Sequence, residues 1–161
     1  MQRLLMKVPL VVILSSAVCF AGDYEDGTAA FDRGDYAIAL KKLRPLAEQG
    51  NALAQNSLGV MYVEGKGVSQ DDDEAIRWFR KAADQGFALA QYNLGGMYGR
   101  GEGVPRDFVL AFMWFSLAEK NGFQPASQLR ESAEAFLTPS QIVEAQKRVS
   151  EWKNSERQPT P

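Results

Sequence analysis

The chain has 161 residues, of which 45% are hydrophobic and 24% charged, with a formal net charge of −2 at pH 7. These values are typical of one globular domain. The chain has no histidine and one cysteine, Cys19, which excludes imidazole-based metal sites, His-dependent catalytic triads and intrachain disulfides. The sequence has no stripe of basic residues and therefore does not predict a nucleic-acid partner. No cofactor or metal is expected.

The first predicted element is a secretory signal peptide over residues 1–21. Arg3 and Lys7 precede an apolar run over residues 8–18, and the small residue Ala21 stands before Gly22. The run is too short for a transmembrane helix. The pattern predicts cleavage near Ala21–Gly22 and export to the periplasm or the medium.

Cleavage would remove Cys19 and leave 16 basic against 20 acidic residues. Two alternatives stay open for this segment. It is retained as an N-terminal anchor, or Cys19 becomes a lipidated N-terminal residue, although Val18 stands where lipidation favours a small residue.

The centre of the chain is an internal repeat of 36 residues. Residues 47–82 align without gaps on residues 83–118, with 19 of the 36 positions identical. Repeats of this length are typical of solenoids built from stacked helix pairs.

Each unit predicts two helices joined by a glycine loop, because apolar residues recur at helical spacing on both sides of the glycines. The shared apolar positions are Ala52/Ala88, Leu58/Leu94, Met61/Met97 and Tyr62/Tyr98 in the first helix, and Ala75/Ala111, Trp78/Trp114, Phe79/Phe115 and Ala82/Ala118 in the second. Asp71 and Asp107 are predicted N-caps of the second helices, with Glu74 completing a capping box in the first unit.

The motifs A-x-A-Q-x-x-L-G-x-M-Y, G-x-G-V and D-x-x-x-A-x-x-W each occur twice at fixed spacing within residues 47–118. In these motifs the chain resembles the Sel-one-like repeat, a relative of the tetratricopeptide repeat. The resemblance implies an all-α, right-handed solenoid of about four helix pairs. It also implies a module that binds a protein or peptide in a concave groove lined by the first helix of each unit. We expect this module to be a monomer.

The flanking segments resemble the repeats more loosely. In residues 24–46, Gly34, Tyr36 and Ala39 resemble the tight turn and second helix of a tetratricopeptide unit. Residues 119–152 begin as another unit and then depart from it, which is typical of a capping terminal unit. Residues 22–152 are therefore predicted as the repeat domain, and residues 153–161 as a flexible tail.

Five glycines in "LGGMYGRGEGV" (94–104) also invite a phosphate-loop interpretation. No G-K-[ST] follows and no strand precedes, so turn geometry is the better explanation. A second open question concerns residues 108–118, which are apolar almost all round their helix. We expect segments 125–136 and 139–152 to cover this helix; docking of a partner is the alternative.

The predicted groove positions lie along the first helix of each unit, each next to a position that the two copies share. They are Leu53, Asn56, Val60, Val63 and Glu64 in one unit and Leu89, Tyr92, Gly96, Gly99 and Arg100 in the next. Apart from the leucines, the two copies differ at these positions, as expected of a surface tuned to a ligand and equally of an unconstrained surface.

The sequence thus predicts a non-enzymatic interaction or scaffold module of the bacterial envelope, whose partner is a peptide or protein. The alternative is a carboxylate-dependent envelope hydrolase or β-lactam-interacting protein, since acidic pairs can catalyse without histidine. The acidic residues weighed for that role are predicted to cap helices or to lie on solvated faces. They are Asp71, Asp107, Glu119, Glu131 and Glu144.

Overall fold

The protein is an all-α helical-repeat solenoid in a computed structural model that describes residues 11–155, with side chains described for residues 22–152. This part of the chain forms eight helices and no strand. The helices are α1 (Val11–Asp32), α2 (Tyr36–Glu48), α3 (Ala52–Glu64), α4 (Asp72–Asp84), α5 (Ala88–Arg100), α6 (Phe108–Lys120), α7 (Ala126–Glu134) and α8 (Pro139–Ser155). Consecutive helices from α1 to α7 pack on one another, most extensively within the pairs α1–α2, α3–α4 and α5–α6, and both α7 and α8 pack against α6. The predicted fold class is confirmed.

The ends of the predicted domain fall partly outside this description. Helix α1 begins at Val11, upstream of the predicted cleavage site, while Arg3 and Lys7 lie outside the described residues. Helix α8 ends at Ser155, and the rest of the predicted tail lies outside them as well. Among residues 11–155, no helix combines the length and apolarity needed to cross a membrane.

The glycine loops serve turn geometry and contact between units. Gly65 and Gly101 end α3 and α5 in the left-handed conformation, with φ of 65° and 73°, which glycine adopts without steric penalty. A Cβ on Gly103 would lie 2.7 Å from Asp72 Cβ, and one on Gly67 would lie 2.9 Å from the Tyr36 carbonyl oxygen. Each loop therefore rests against the start of the second helix in the preceding unit.

The predicted N-caps form, but the predicted capping box is only half made. The Asp71 carboxylate accepts from the Glu74 amide at 3.0 Å, and Asp107 caps α6 in the same way. The predicted reciprocal bond, from the Asp71 amide to the Glu74 carboxylate, does not form. The Asp71 amide donates instead to the Tyr62 carbonyl at 3.0 Å, and the Glu74 carboxylate pairs with Arg77. The chain entering α4 is thus tied to α3, which leaves the Glu74 side chain free to pair along its own helix.

Three hydrogen bonds recur at 36-residue spacing and link successive units. Buried Gln91 donates to the Ala83 carbonyl at 3.1 Å and accepts from Asn121 at 2.9 Å. Arg80 donates to the Tyr98 hydroxyl at 3.0 Å. The same bonds one unit earlier join Gln55 to Ala47 and Gln85, and Arg44 to Tyr62. Because buried polar groups are costly unless paired, these bonds restrict how each unit can sit on the next.

The apolar helix α6 is covered within the chain, as expected. Its residues 111–118 are all buried. Trp152 of α8 packs edge-on against fully buried Trp114, with ring centroids 4.9 Å apart. On the neighbouring side Phe112 and Phe115 share a core cluster with alanines of α7 and α8. Helices α7 and α8 therefore cover the apolar surface at the end of the solenoid.

Candidate functional site

The first helices of the four units, α1, α3, α5 and α7, meet one another along one side of the molecule, which we call the first-helix face. A pocket lies between α1 and α3, a hydrogen bond joins α3 to α5, and a second pocket lies between α5 and α7. The face therefore has a pocket at two junctions and a hydrogen-bonded bridge at the one between them.

The pocket between α1 and α3, here the first pocket, has a volume of about 120 Å³. Leu43 of α2, which is 1% exposed, supplies apolar surface behind the two helices. Its remaining walls are Thr28, Phe31 and Asp32 of α1 and Asn56, Ser57 and Val60 of α3. The pocket is apolar inside and carries one carboxylate.

The pocket between α5 and α7, here the last pocket, is larger and more apolar, with a volume of about 170 Å³. It is lined by Gly96, Gly99 and Arg100 of α5, by Phe108, Ala111 and Phe115 of α6, and by Leu129, Ser132, Ala133 and Phe136 of α7 and the turn after it. Phe136 is 67% exposed and stacks on Phe108 with ring centroids 4.4 Å apart. An aromatic pair thus borders an apolar opening.

Three small residues account for the last pocket. The three residues are Gly96, Gly99 and Ala133. The equivalent residues 36 positions earlier are larger: Val60, Val63 and Met97. At the middle junction Val60 and Val63 pack on a core cluster that contains Met97, which is 1% exposed. The same position is therefore filled in one unit and vacant in the next.

At the middle junction a polar bridge joins the two first helices. Asn93 Nδ2 of α5 donates to Asn56 Oδ1 of α3 at 3.0 Å, and Asn56 is 7% exposed. Each asparagine side chain retains one further polar group, the Asn56 amide NH₂ and the Asn93 carbonyl. The bridge thus presents a donor and an acceptor between the two pockets.

The two pockets differ in charge. At the last pocket, Arg100 donates through Nε and Nη2 to the two carboxylate oxygens of Glu102, both at 2.7 Å. This hydrogen bonding lowers the pKa of Glu102 and raises the pKa of Arg100. The guanidinium of exposed Arg106 lies 5.5 Å from the centre of the Phe108 ring and has no carboxylate partner among the described side chains. Within the described residues, the last pocket therefore has an unpaired cationic side chain at its mouth, next in sequence to the α6 cap Asp107.

At the first pocket the unpaired charged side chain has the opposite sign. Asp32, which lines it, has no cationic partner among the side chains that the structure describes. The nearby Lys66 pairs with Glu64 at 2.7 Å, and hydrogen bonding to Glu64 raises the pKa of this lysine.

The structure places the predicted groove residues in three settings. Asn56 and Val60 line the first pocket, and Gly96, Gly99 and Arg100 line the last one. The remaining five residues line neither pocket: Leu53 is 44% exposed, Glu64 pairs with Lys66, Val63 packs on the core, Leu89 is half-buried, and Tyr92 contacts Phe115 and Phe123. Tyr92 is therefore a packing residue at least as much as a surface one.

Several residues of the two pockets were missed by the sequence reasoning, chiefly Leu129, Phe136 and Phe108 of the last pocket and Phe31 of the first. Leu129 and Phe136 stand one repeat after Asn93 and Arg100. Both residues could have been identified by extending the 36-residue alignment into the divergent terminal unit.

The acidic residues considered for catalysis are engaged in the structure. Asp71 and Asp107 cap helices, Glu119 and Glu131 pair with Arg130, and Glu144 pairs with Arg148. In the part of the chain that the structure describes, no group of three or more acidic, Cys or His side chains is placed to hold a metal ion.

Comparison with known proteins agrees with this architecture. The model of the Sel1 repeat matches residues 52–87 and 88–123. The chain is similar to the crystal structure of c5321, described as a protective antigen present in uropathogenic Escherichia coli strains and displaying an SLR fold. That match has 33% identity and a TM-score of 0.79, and it covers 83% of this chain and 29% of that one.

A Sel1 repeat protein from Oxalobacter formigenes is similar at 34% identity with a TM-score of 0.64, covering 66% of this chain and 44% of that one. This chain therefore spans less than half the length of either structure. None of the curated protein sequences matches it significantly.

Proposed function

We propose that this protein, which carries two Sel1 repeats, is a non-catalytic interaction module that holds a peptide segment of another protein on its first-helix face. Proteins built from Sel1 repeats are generally protein-interaction modules. The observation that carries the proposal is the pair of apolar pockets on that face, one on each side of the Asn56–Asn93 bridge. Apolar pockets beside a few placed polar groups suit the anchoring of side chains.

We place this module in the bacterial envelope or outside the cell. The support is the pattern of residues 1–21, with a basic start, a short apolar run and small Ala21 before Gly22. The similar protein c5321 is a protective antigen, which supports the same placement because antibodies reach proteins outside the cytoplasm. Cell fractionation with mass spectrometry of the N-terminus tests the placement. We expect the protein in the envelope or the medium, with a start at Gly22 after cleavage or at an acylated Cys19 after lipidation, whereas a cytoplasmic protein with an intact start would overturn it.

Site-specific crosslinking tests the binding face. A photoreactive benzoylphenylalanine at Ser132, on the wall of the last pocket, is expected to crosslink a protein in envelope extract. The matched control is the same residue at Arg77 on α4, whose side chain is 70% exposed. The proposal fails if both positions yield the same adducts or if Ser132 yields none.

A turnover assay tests the proposal that the module is not catalytic. We expect no hydrolysis of cell-wall fragments or β-lactams by the purified chain. Hydrolysis that disappears on exchange of one Asp or Glu would show that the module is an enzyme.

A further inference from the structure

We infer that the first-helix face takes an extended peptide with two anchors six residues apart: an aromatic anchor beside an acidic residue for the last pocket, and an aliphatic anchor beside a basic residue for the first. This inference rests on the proposed function and specifies the chemistry of the partner. Four features of the face lead to it: pocket size, pocket spacing, the bridge between the pockets, and charge.

Pocket size sets the type of each anchor. The last pocket, at about 170 Å³, is close to the roughly 150 Å³ apolar cavity that accepts benzene in another protein. Phe108, Phe115 and Phe136 on its walls offer aromatic edges and faces to an inserted ring. The first pocket, at about 120 Å³, is smaller and has Leu43 and Val60 on its walls, which suits an aliphatic side chain.

Pocket spacing sets the distance between the anchors. The two pockets are separated by two steps from one first helix to the next, and packed helices lie about 8–10 Å apart. The anchors are therefore about 16–20 Å apart. An extended peptide rises about 3.3 Å per residue and repeats its facing every two residues, so anchors on one side of the peptide fit at a separation of six. A helical peptide would need about twelve residues, at about 1.5 Å each.

The Asn56–Asn93 bridge favours the extended form over the helical one. It leaves an amide donor on Asn56 and a carbonyl acceptor on Asn93. An extended peptide crossing between the pockets presents unpaired backbone N–H and C=O groups that match this pair. A helix pairs its own backbone groups and offers none there.

Charge sets the order of the anchors. Arg106, without a carboxylate partner among the described side chains, lies over Phe108 at the last pocket, and Asp32 lines the first. Complementary charge across an interface favours one register and one orientation over the reverse. An acidic residue therefore accompanies the aromatic anchor and a basic residue accompanies the aliphatic one.

The test is a displayed library of random twelve-residue peptides selected on the immobilised full chain, followed by fluorescence anisotropy with the enriched peptides. We expect enrichment of an aromatic and an aliphatic residue six positions apart, each with the stated charge within two positions. Exchange of Gly99→Val copies Val63 of the preceding unit into the last pocket, and it should weaken binding at least tenfold.

The Gly99→Val variant is expected to fold, because a Cβ at this position meets Ala111 Cβ at an ordinary 3.7 Å. Its melting temperature is measured alongside binding. The matched control is Ala37→Val on α2, which is exposed and off the face, and it should bind like the parent. Arg106→Glu should weaken binding about tenfold, with recovery when the acidic residue of the peptide is changed to lysine.

The outcomes separate the two proposals. Enriched peptides with a single anchor, with helical spacing near twelve, or with equal affinity for the Gly99→Val variant overturn the inference and leave the interaction module standing. Binding that ignores the charge exchange overturns the assigned order of the anchors. A library that yields no binding peptide overturns both the inference and the proposed function.

Discussion

The junction between α3 and α5 and the junction between α5 and α7 have the same helical framework and opposite surfaces. At the first of these, Val60, Val63 and Met97 fill the space and an asparagine pair bridges the helices. At the second, Gly96, Gly99 and Ala133 leave a pocket of about 170 Å³. A repeat can therefore conserve the contacts that set helix spacing while loss of a few side chains turns a packed junction into an open one.

The largest effect is expected from opening the middle junction. Met97→Ala places at this junction the residue that Ala133 supplies at the other, but the Met97 side chain is 1% exposed and part of a core cluster. Truncation of a buried methionine leaves a cavity, and we expect a loss of about 3 kcal/mol in the free energy of unfolding, measured by urea denaturation. The reciprocal Ala133→Met has a pocket to receive its side chain and should cost less than about 1 kcal/mol; equal losses would contradict the comparison.

A pair of adjacent glycines separates architecture from surface. A Cβ on Gly95 would lie 2.7 Å from the Phe115 ring, whereas one on Gly96 would meet Nη1 at the far end of the long Arg100 side chain at 2.9 Å. Gly95→Ala should therefore destabilise by about 1–2 kcal/mol through overpacking. Gly96→Ala should stabilise by up to about 1 kcal/mol through helix propensity. Thermal denaturation of both variants tests this prediction, which is wrong if the two shifts have the same sign.

Exchange of Asn93→Leu gives the middle junction the residue that Leu129 supplies at the other. Asn56, 7% exposed, then loses its hydrogen-bond partner, and we expect a loss of about 1 kcal/mol. In a double-mutant cycle with Asn56→Leu the two changes should be less costly together than their sum. Additive losses would show that the bridge contributes no coupling.

The smallest effect concerns the ion pair at the mouth of the last pocket. Hydrogen bonding from Arg100 lowers the pKa of Glu102, so its stabilisation is complete above the unfolded-state pKa of this carboxyl. That stabilisation is lost as pH falls through the lower folded-state value. The exposed pair should contribute only a few tenths of a kcal/mol. In an NMR titration the Glu102 midpoint should rise in the Arg100→Ala variant, and an unchanged midpoint would contradict the pairing.

The glycines of residues 94–104 show which features the repeat pattern predicted and which it did not. Gly101 and Gly103 have twins in the preceding unit, and their positive φ values confirm that they serve the turn. Gly96 and Gly99 are private to the second unit, and the pattern marked them as groove positions without an indication of what faces them. Leu129 and Phe136, which face them across the pocket, lie in a terminal unit whose repeat identity is weak.

Tyr92 shows why divergence between repeats is an incomplete guide to a binding surface. It differs from Asn56 of the first unit, and this difference placed it among the predicted groove residues. In the structure its ring lies 4.9 Å from Phe123 and 5.7 Å from Phe115. A residue can differ between two units because its neighbours in the structure differ, and Tyr92 packs on residues of the core.

Local chemistry was sufficient to establish the repeat, the helix pairs, the N-caps at Asp71 and Asp107, and the loop glycines. These features depend on spacing, backbone conformation and capping within a few residues. The pockets depend on volumes that meet across 30 or more residues of chain, such as Gly99 against Leu129, and on whether α6 is covered from within. Only the tertiary structure determines these volumes, because close packing depends on which side chains meet in space and not on their separation along the chain.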